Sequence, residues 1–204
     1  NLNPIAYYPL GEQAQNTGYL DPNNPGSDIS GSEWQFPNGV LQDYVMDFDS
    51  TSPGDYISIN NNISLTGNKT VSVWFKADNI SGDNVLIGGD QYYPYITSTS
   101  VCLKDSSGFI CLTVPAFSNN VWYHLCIVGN GTTATVYIDG QPQGTLDDKS
   151  PTINTIGALS NGVWPFDGEI SNVAIWNTDQ SANIANIYNN GSPQTSYTVS
   201  PQNW

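Results

Sequence analysis

The side chains with the richest binding chemistry in this chain of 204 residues fall in one short stretch, residues 88–97 (GGDQYYPYIT), which brings together Asp90, Gln91, Tyr92, Tyr93 and Tyr95. Flat aromatic rings stack on the apolar faces of sugars, and amides and carboxylates hydrogen-bond their hydroxyls. The glycines, Asp90 and Pro94 make the stretch read as a loop. Three aromatics in four positions cannot all face one core, so ligand contact and packing are both open to them. Trp164, in NGVW (161–164), is a second candidate of the same kind, and Trp34 in the early part of the chain is a third. The remaining reactive groups are sparse: one histidine, His124, and three glutamates, Glu12, Glu33 and Glu169. Asp47 and Asp49 share a strand face in DFD, which reads as the border of a turn or metal site. Nucleophile, phosphate-loop and zinc signatures are absent, so no catalytic residue is predicted.

Charge narrows the partners. Eighteen acidic residues stand against four lysines, Lys69, Lys76, Lys104 and Lys149, for a formal charge of -14, and arginine is missing altogether. A polyanion would be repelled, and the side chain best suited to phosphate is not there, so nucleic acid is excluded. Charged residues make up only 11%, while 24 asparagines lead a neutral, amide- and hydroxyl-rich polar set. No apolar run approaches the ~18–20 residues of a membrane helix, so no membrane insertion is expected.

The elements that must position these residues are strands. Period-two runs of β-branched and aromatic residues are separated by Gly, Pro, Asn and Asp clusters. The runs fall at 5–9, 44–48, 55–59, 70–76, 84–87, 101–104, 109–114, 121–129, 133–139 and 169–176. In TVSVWFK, Val71, Val73 and Phe75 alternate with Ser72, Trp74 and Lys76, which sends one face inward and leaves Trp74 on the other. Asp139-Gly140 marks a tight hairpin, and DSSG (105–108) marks another. The second turn would place Cys102 opposite Cys111, where a cross-strand bridge and two free thiols are both open, with Cys126 left over. Residues 21–31 (DPNNPGSDISG) read as a long surface loop. One helix is expected over 179–189, capped by Thr178 or Asp179, ended by Gly191 and plugging one edge of a sandwich.

Three ordered stretches carry a family resemblance: DYISI with TVSVWFKAD, then NNVWYHLCIVGNGTTATVYIDGQPQG, then TIGALSNGVWPFDGEISNVAIWNTDQSANIANIYNNG. Together they resemble the concanavalin A-like lectin/glucanase superfamily in its laminin G-like form. The likeness spans about residues 44–191, and IAYYPL (5–10) is similar to the family's opening strand. The resemblance implies an all-β fold, a two-sheet antiparallel jelly roll with one short C-terminal helix, filling residues 1–204 as one domain. Residues 192–204 would then be a linker, since NPIAY (3–7) and SPQNW (200–204) echo each other as if a second module followed.

Glycosidases that share the resemblance set carboxylates on one strand as E-x-D-x-E, which is absent here, and the lyases use arginine. The resemblance therefore implies a binding module rather than an enzyme. Calcium is implied where the loop before D-Y-x-x-I meets F-x-G-x-I, which points to Asp49, Asp55 and Glu169 with Asp167 in reserve, although Ser171-Asn172 stand where the family often has an acid. The expected role is carbohydrate attachment, to a glycan or host-surface carbohydrate, in a cell-surface or virion protein such as a phage fibre. A structural spacer that contacts other protein modules is the alternative reading, and a divergent hydrolase or lyase is the least supported. Either of the first two places the chain outside the cell or on a virion surface.

Overall fold

Period-two patterning resolves into strands along the chain. The computed structural model describes residues 2–8, 10, 33–35, 45–51 and 54–193. In chain order the strands are β1 (Ala6–Tyr8), β2 (Glu33–Gln35), β3 (Val45–Phe48), β4 (Ile57–Ser64), β5 (Lys69–Ala77), β6 (Asn84–Val85), β7 (Ile87–Gly89) and β8 (Tyr92–Thr97). There follow β9 (Ser100–Asp105), β10 (Gly108–Thr113), β11 (Trp122–Gly129), β12 (Thr133–Ile138), β13 (Gln141–Asp147), β14 (Thr152–Ile156) and β15 (Gly168–Trp176). They form two antiparallel sheets, the sandwich that the sequence predicts. The first has the order β13-β12-β11-β5-β15-β3-β2 with β1 also on β15, and the second β10-β9-β8-β7-β14-β4 with β6 on β8. The 21–31 segment, Glu12 and residues 194–204 lie outside the described residues, and no described helix is long and apolar enough to cross a membrane.

Alternation decides what lies between the sheets. Val71, Val73 and Phe75 of β5, Leu125 and Ile127 of β11 and Ile170, Val173 and Ile175 of β15 point inward. They meet Ile87, Tyr93, Ile96, Leu103 and Ile156 from the second sheet in one apolar cluster. One end of this core holds an ion pair. Lys69 is 1% exposed, and its Nζ lies 2.7 Å from Asp148 Oδ2. Asp148 also accepts hydrogen bonds from Tyr93 Oη (3.0 Å) and from the amides of Gly131 (2.7 Å) and Lys149 (2.8 Å). Every donor that a buried carboxylate needs is thus supplied by protein.

The outer face of the first sheet is sealed by the C-terminal helix, which is shorter than expected and lies on that face rather than at an edge. A 3-10 turn (Ser181–Asn183) leads into α1 (Ile184–Tyr188), and Asn189 ends it in the left-handed conformation, φ 51° and ψ 47°, two residues before the glycine predicted to do so. Asparagine tolerates this conformation, so the helix can stop early. Ile184 packs on Cys126 and Val128, and Ile187 on Tyr7, Ala174 and Trp176. Tyr188 stacks on Trp74 at 5.8 Å, and Trp74 lies 5.0 Å from His124. Under this lid His124 is fully buried, with Nε2 2.8 Å from Ser72 Oγ and with no hydrogen-bond partner for Nδ1 among the described residues. Burial pushes its pKa down to about 4.

The turns follow their residue types. Asp139 (φ 50°) and Gly140 (φ 74°) both take positive φ, as a type I′ hairpin requires. Across the β9–β10 hairpin Cys102 pairs with Cys111, and the two form a disulfide, while Cys126 is free and buried. Four strands escape a pattern reading: β2, β8, β13 and β14. In particular the segment 88–97 is not a loop but the β7–β8 hairpin, with only Asp90 and Gln91 between its strands. Its glycines and proline mimic loop composition, while Gly88 and Gly89 are required for another reason. A Cβ on Gly88 would sit 2.8 Å from the Ala158 carbonyl oxygen, and one on Gly89 equally close to that of Thr152.

Candidate functional site

A register irregularity in β8 sorts the tyrosines. Tyr92 pairs with Lys104 and Tyr95 with Cys102, so three residues of β8 span two of β9, and the extra residue is taken up at 93–94. A bulge of this kind lets residues three apart face the same way. Tyr92 and Tyr95 therefore both lie on the outer face of the second sheet, with ring centroids 4.9 Å apart, beside Val85 and Cys102. Tyr93 points the other way, is fully buried and belongs to the core, where it donates to Asp148. Burial and the neighbouring Asp148 push its phenol well above the ordinary value. Inside the sandwich it offers no surface to a ligand, and Tyr92 and Tyr95, 4% and 9% exposed, are themselves buried and serve as backing for a neighbouring ring.

Trp164 completes the outer cluster. Its ring lies 6.1 Å from Tyr92 and 6.0 Å from Tyr95, and the residue is 36% exposed. The backbone holds it at φ 53°, an unfavourable region for a bulky residue, while its carbonyl accepts from the Val85 amide at 3.0 Å. Strain of this sort costs about 1–3 kcal/mol and persists where the surroundings impose it, often at binding sites. Asp90 and Gln91 sit at the β7–β8 turn, away from this ring cluster in the contacts they make: Asp90 accepts from Ser160 Oγ at 2.8 Å, and the Gln91 carbonyl from the Gly89 amide.

Beside Trp164 opens a cleft of about 370 Å³ lined by Ser50, Asn79, Ser81, Gly82, Asp83, Asn84, Pro165 and Asp167. Its walls come from the β5–β6 connection, the segment before β15 and Ser50 just after β3. Asn79 Oδ1 closes its own turn by accepting from the Ser81 amide at 3.0 Å, and the Asp78 amide donates across to the Asp167 carbonyl at 2.9 Å, which ties the two walls together. Asp83 accepts from Tyr95 Oη, which links the cleft wall to the aromatic cluster. Burial, then the hydrogen bond to Asp83, raises the Tyr95 phenol, so it stays a donor at neutral pH. The Asp167 carboxyl is also raised, first by burial and then by the carboxylates of Asp78 and Asp49, with hydrogen bonds to Ser50 opposing. The arrangement provides an aromatic platform beside amide, hydroxyl and carboxylate groups. Of these wall residues only Asp167 carries a sequence signal, and the NISGDN segment reads as an ordinary turn.

The carboxylates expected to hold calcium are not assembled. Glu169 lies opposite Lys76 on the outer face of the first sheet and forms an ion pair with it. Asp55 is buried, and its carboxylate accepts from the Asp49 amide at 3.1 Å, while Asp49 Oδ1 accepts from the Thr51 amide. Among the described residues no group of three or more His, Cys, Asp or Glu side chains is arranged to hold a metal ion. Asp49 and Asp55 thus lie together while Glu169 faces Lys76, so the three do not form one carboxylate group. In place of the family's acid, Asn172 takes φ 50° in β15 and accepts from Tyr7 Oη at 2.7 Å.

Comparison with solved structures gives folds of the same kind at low identity. Domain 4 of AbnA, an extracellular GH43 arabinanase from Geobacillus stearothermophilus solved with arabinotriose, is 12% identical with a TM-score of 0.62, over 91% of this chain and 98% of that one. A SAP-like pentraxin from Limulus polyphemus is 16% identical with a TM-score of 0.54, over 79% of this chain and 83% of that one. A structure of botulinum neurotoxin type C, whose cell entry depends on two ganglioside molecules, is 16% identical with a TM-score of 0.52, over 78% of this chain but 46% of that one. No curated protein matches the chain in sequence. A laminin G-type family model does match, over residues 49–183. With the sandwich, its strand order and that match in agreement, the chain belongs to the concanavalin A-like lectin/glucanases superfamily.

Proposed function

We propose that this domain is a non-catalytic carbohydrate-binding module and that it holds a glycan at the Trp164 edge of the cleft. The observation that carries the reading is the half-exposed Trp164 ring, fixed in a strained backbone on Tyr92 and Tyr95 beside Asp83, Asn79 and Ser81. A ring backed by other rings gives a sugar face a rigid surface, and the neighbouring polar groups fix its orientation. The arabinotriose bound to the arabinanase domain and the gangliosides named for the neurotoxin support a glycan as the ligand. The binding role is favoured over catalysis because Glu169 is tied to Lys76, His124 is buried under the helix, and arginine is absent. In this reading the module serves attachment from a cell-surface or virion protein.

The test is a glycan array probed with the purified domain and with Trp164→Ala, in calcium and again in chelator. Binding that Trp164→Ala weakens at least tenfold, or about 1.4 kcal/mol, is expected, because exposed tryptophans that carry an interface lose this much or more on truncation. The chelator arm decides the calcium that the resemblance implies. Absence of binding under both conditions would overturn the reading and leave the spacer role in its place.

A further inference from the structure

The outer face of the second sheet continues well beyond the cleft. Two cross-strand rows run over it: Phe109, Lys104 and Tyr92 on β10, β9 and β8, and beside them Cys111, Cys102 and Tyr95. Side chains opposite one another in such rows are direct neighbours. Phe109 is 68% exposed, the most exposed large apolar side chain among the described residues. Two strand spacings, about 10 Å, separate β10 from β8, and the Trp164 ring lies a further 6.1 Å from Tyr92. The face thus presents one aromatic platform at the cleft and a second at the hairpin, too far apart for one sugar ring to touch both.

Lys104 lies between them. Of the four lysines, Lys69, Lys76 and Lys149 are each paired with a carboxylate, whereas Lys104 has no ion-pair partner among the described residues. Its Nζ is 5.9 Å from the Tyr92 ring centroid, over the ring that forms part of the cleft cluster. In a chain of net charge -14, this is the point on the described surface where an anionic group meets an uncompensated cation. The hairpin that carries Phe109 and Lys104 is held in place. The disulfide joins its strands, and Asp105 at its tip accepts from the Ser150 amide at 3.0 Å and faces Lys149 Nζ at 3.8 Å. A platform fixed in this way loses little freedom when it binds.

We propose that the site is extended, and that its ligand is an oligosaccharide running from Trp164 to Phe109 with an isolated acidic sugar seated over Lys104. The inference rests on the glycan-binding reading of the cleft. Neutral residues stack at either end, and one carboxylate or sulfate meets the Lys104 ammonium. A polyanion is disfavoured, because its other charges would face the acidic remainder of the domain. Carboxylate and sulfate share this chemistry, and a test with both separates them.

The experiment is an array that carries lactose, sialyllactose and sulfated lactose, together with galacto-oligosaccharides and oligogalacturonides from dimer to hexamer. It is probed with the wild-type domain, Lys104→Gln, Lys104→Arg, Phe109→Ser and Trp164→Ala. The wild type should favour a singly charged glycan over its neutral counterpart by about fivefold, the upper range for a solvent-exposed ion pair, and over the oligogalacturonides. It should also bind hexamers more tightly than dimers. Lys104→Gln should bring the acidic-to-neutral ratio to about one and Lys104→Arg restore it, while Phe109→Ser should remove the gain with length. If Trp164→Ala loses binding but Lys104→Gln and Phe109→Ser keep the wild-type ratio and length dependence, the extended site is wrong and the cleft reading stands. If Trp164→Ala binds as the wild type does, or nothing binds at all, both fall together.

Discussion

Replacing Lys69 with methionine should cost the fold about 3–5 kcal/mol, the usual range when one member of a buried ion pair is removed. The pair qualifies because the lysine side chain is 1% exposed and the Asp148 side chain not at all. After the substitution Asp148 keeps the Tyr93 hydroxyl and the Gly131 and Lys149 amides, three neutral donors around an uncompensated charge. Asp148→Leu should cost more. It leaves the ammonium with the Gly67 carbonyl at 3.3 Å and the Tyr93 ring at 5.6 Å, and it also strips both amides of their acceptor, at about 1–3 kcal/mol each. In the double variant the charge problem disappears and the orphaned amides remain, so its cost should fall below the sum of the singles by about 3 kcal/mol. Urea unfolding followed by tryptophan fluorescence at pH 7 reads these differences as shifts in midpoint at constant slope. A Lys69→Met variant within 1 kcal/mol of the wild type, or strictly additive singles, would refute the idea that the pair acts as a desolvated unit.

Other expectations follow from single features. His124 has a folded pKa of about 4 against an ordinary value of 6.5, so the unfolded chain binds the extra proton. Stability should hold above pH 6.5 and decline by about 3 kcal/mol as pH falls from 6.5 to 4, and His124→Gln should flatten that slope in urea titrations at stepped pH. Reducing the Cys102–Cys111 bridge, which closes a separation of nine residues, should lower stability by about 2.5 kcal/mol, read as the difference in urea midpoint with and without reductant; an unchanged midpoint would count against it. Trp164→Gly should abolish glycan binding yet change stability by less than about 1 kcal/mol, since relief of the positive φ offsets the lost ring contacts. A large loss of stability there would mean that Trp164 is chiefly a packing residue.

Much of the sandwich was legible because burial on one face imposes a period of two. β5 announces itself through Val71, Val73 and Phe75, and the Asp139-Gly140 turn through the two residue types best able to take positive φ. β13, with QPQGTLD, and β14, with TINTI, are short of apolar residues because each shows little more than one or two side chains to the core, so their patterns carry little signal. The position of the helix could not be read, since a face of Ile184, Ile187 and Tyr188 says what is buried but not against what. At the site, the impossibility of packing three tyrosines one way was legible, and the structure turns two outward and one inward. The carboxylates were harder. Whether Glu169 meets a cation or a neighbouring acid depends on the β5–β15 register, which places it opposite Lys76. The cleft wall at 79–84 is built from turn residues whose types fit any surface loop.

The bulge in β8 also fixes a parity. In an unbroken strand Tyr92 outward would mean Tyr95 inward and Ile96 outward, because every residue added or removed exchanges the two sides. The added residue at 93–94, where Pro94 cannot donate to the ladder, keeps Tyr95 beside Tyr92 and returns Ile96 to the core. The outward pair is therefore a property of the count between its members as much as of the members themselves. A change at Pro94 that let the strand pair regularly would leave every tyrosine in the sequence and still remove the backing on which the Trp164 ring rests.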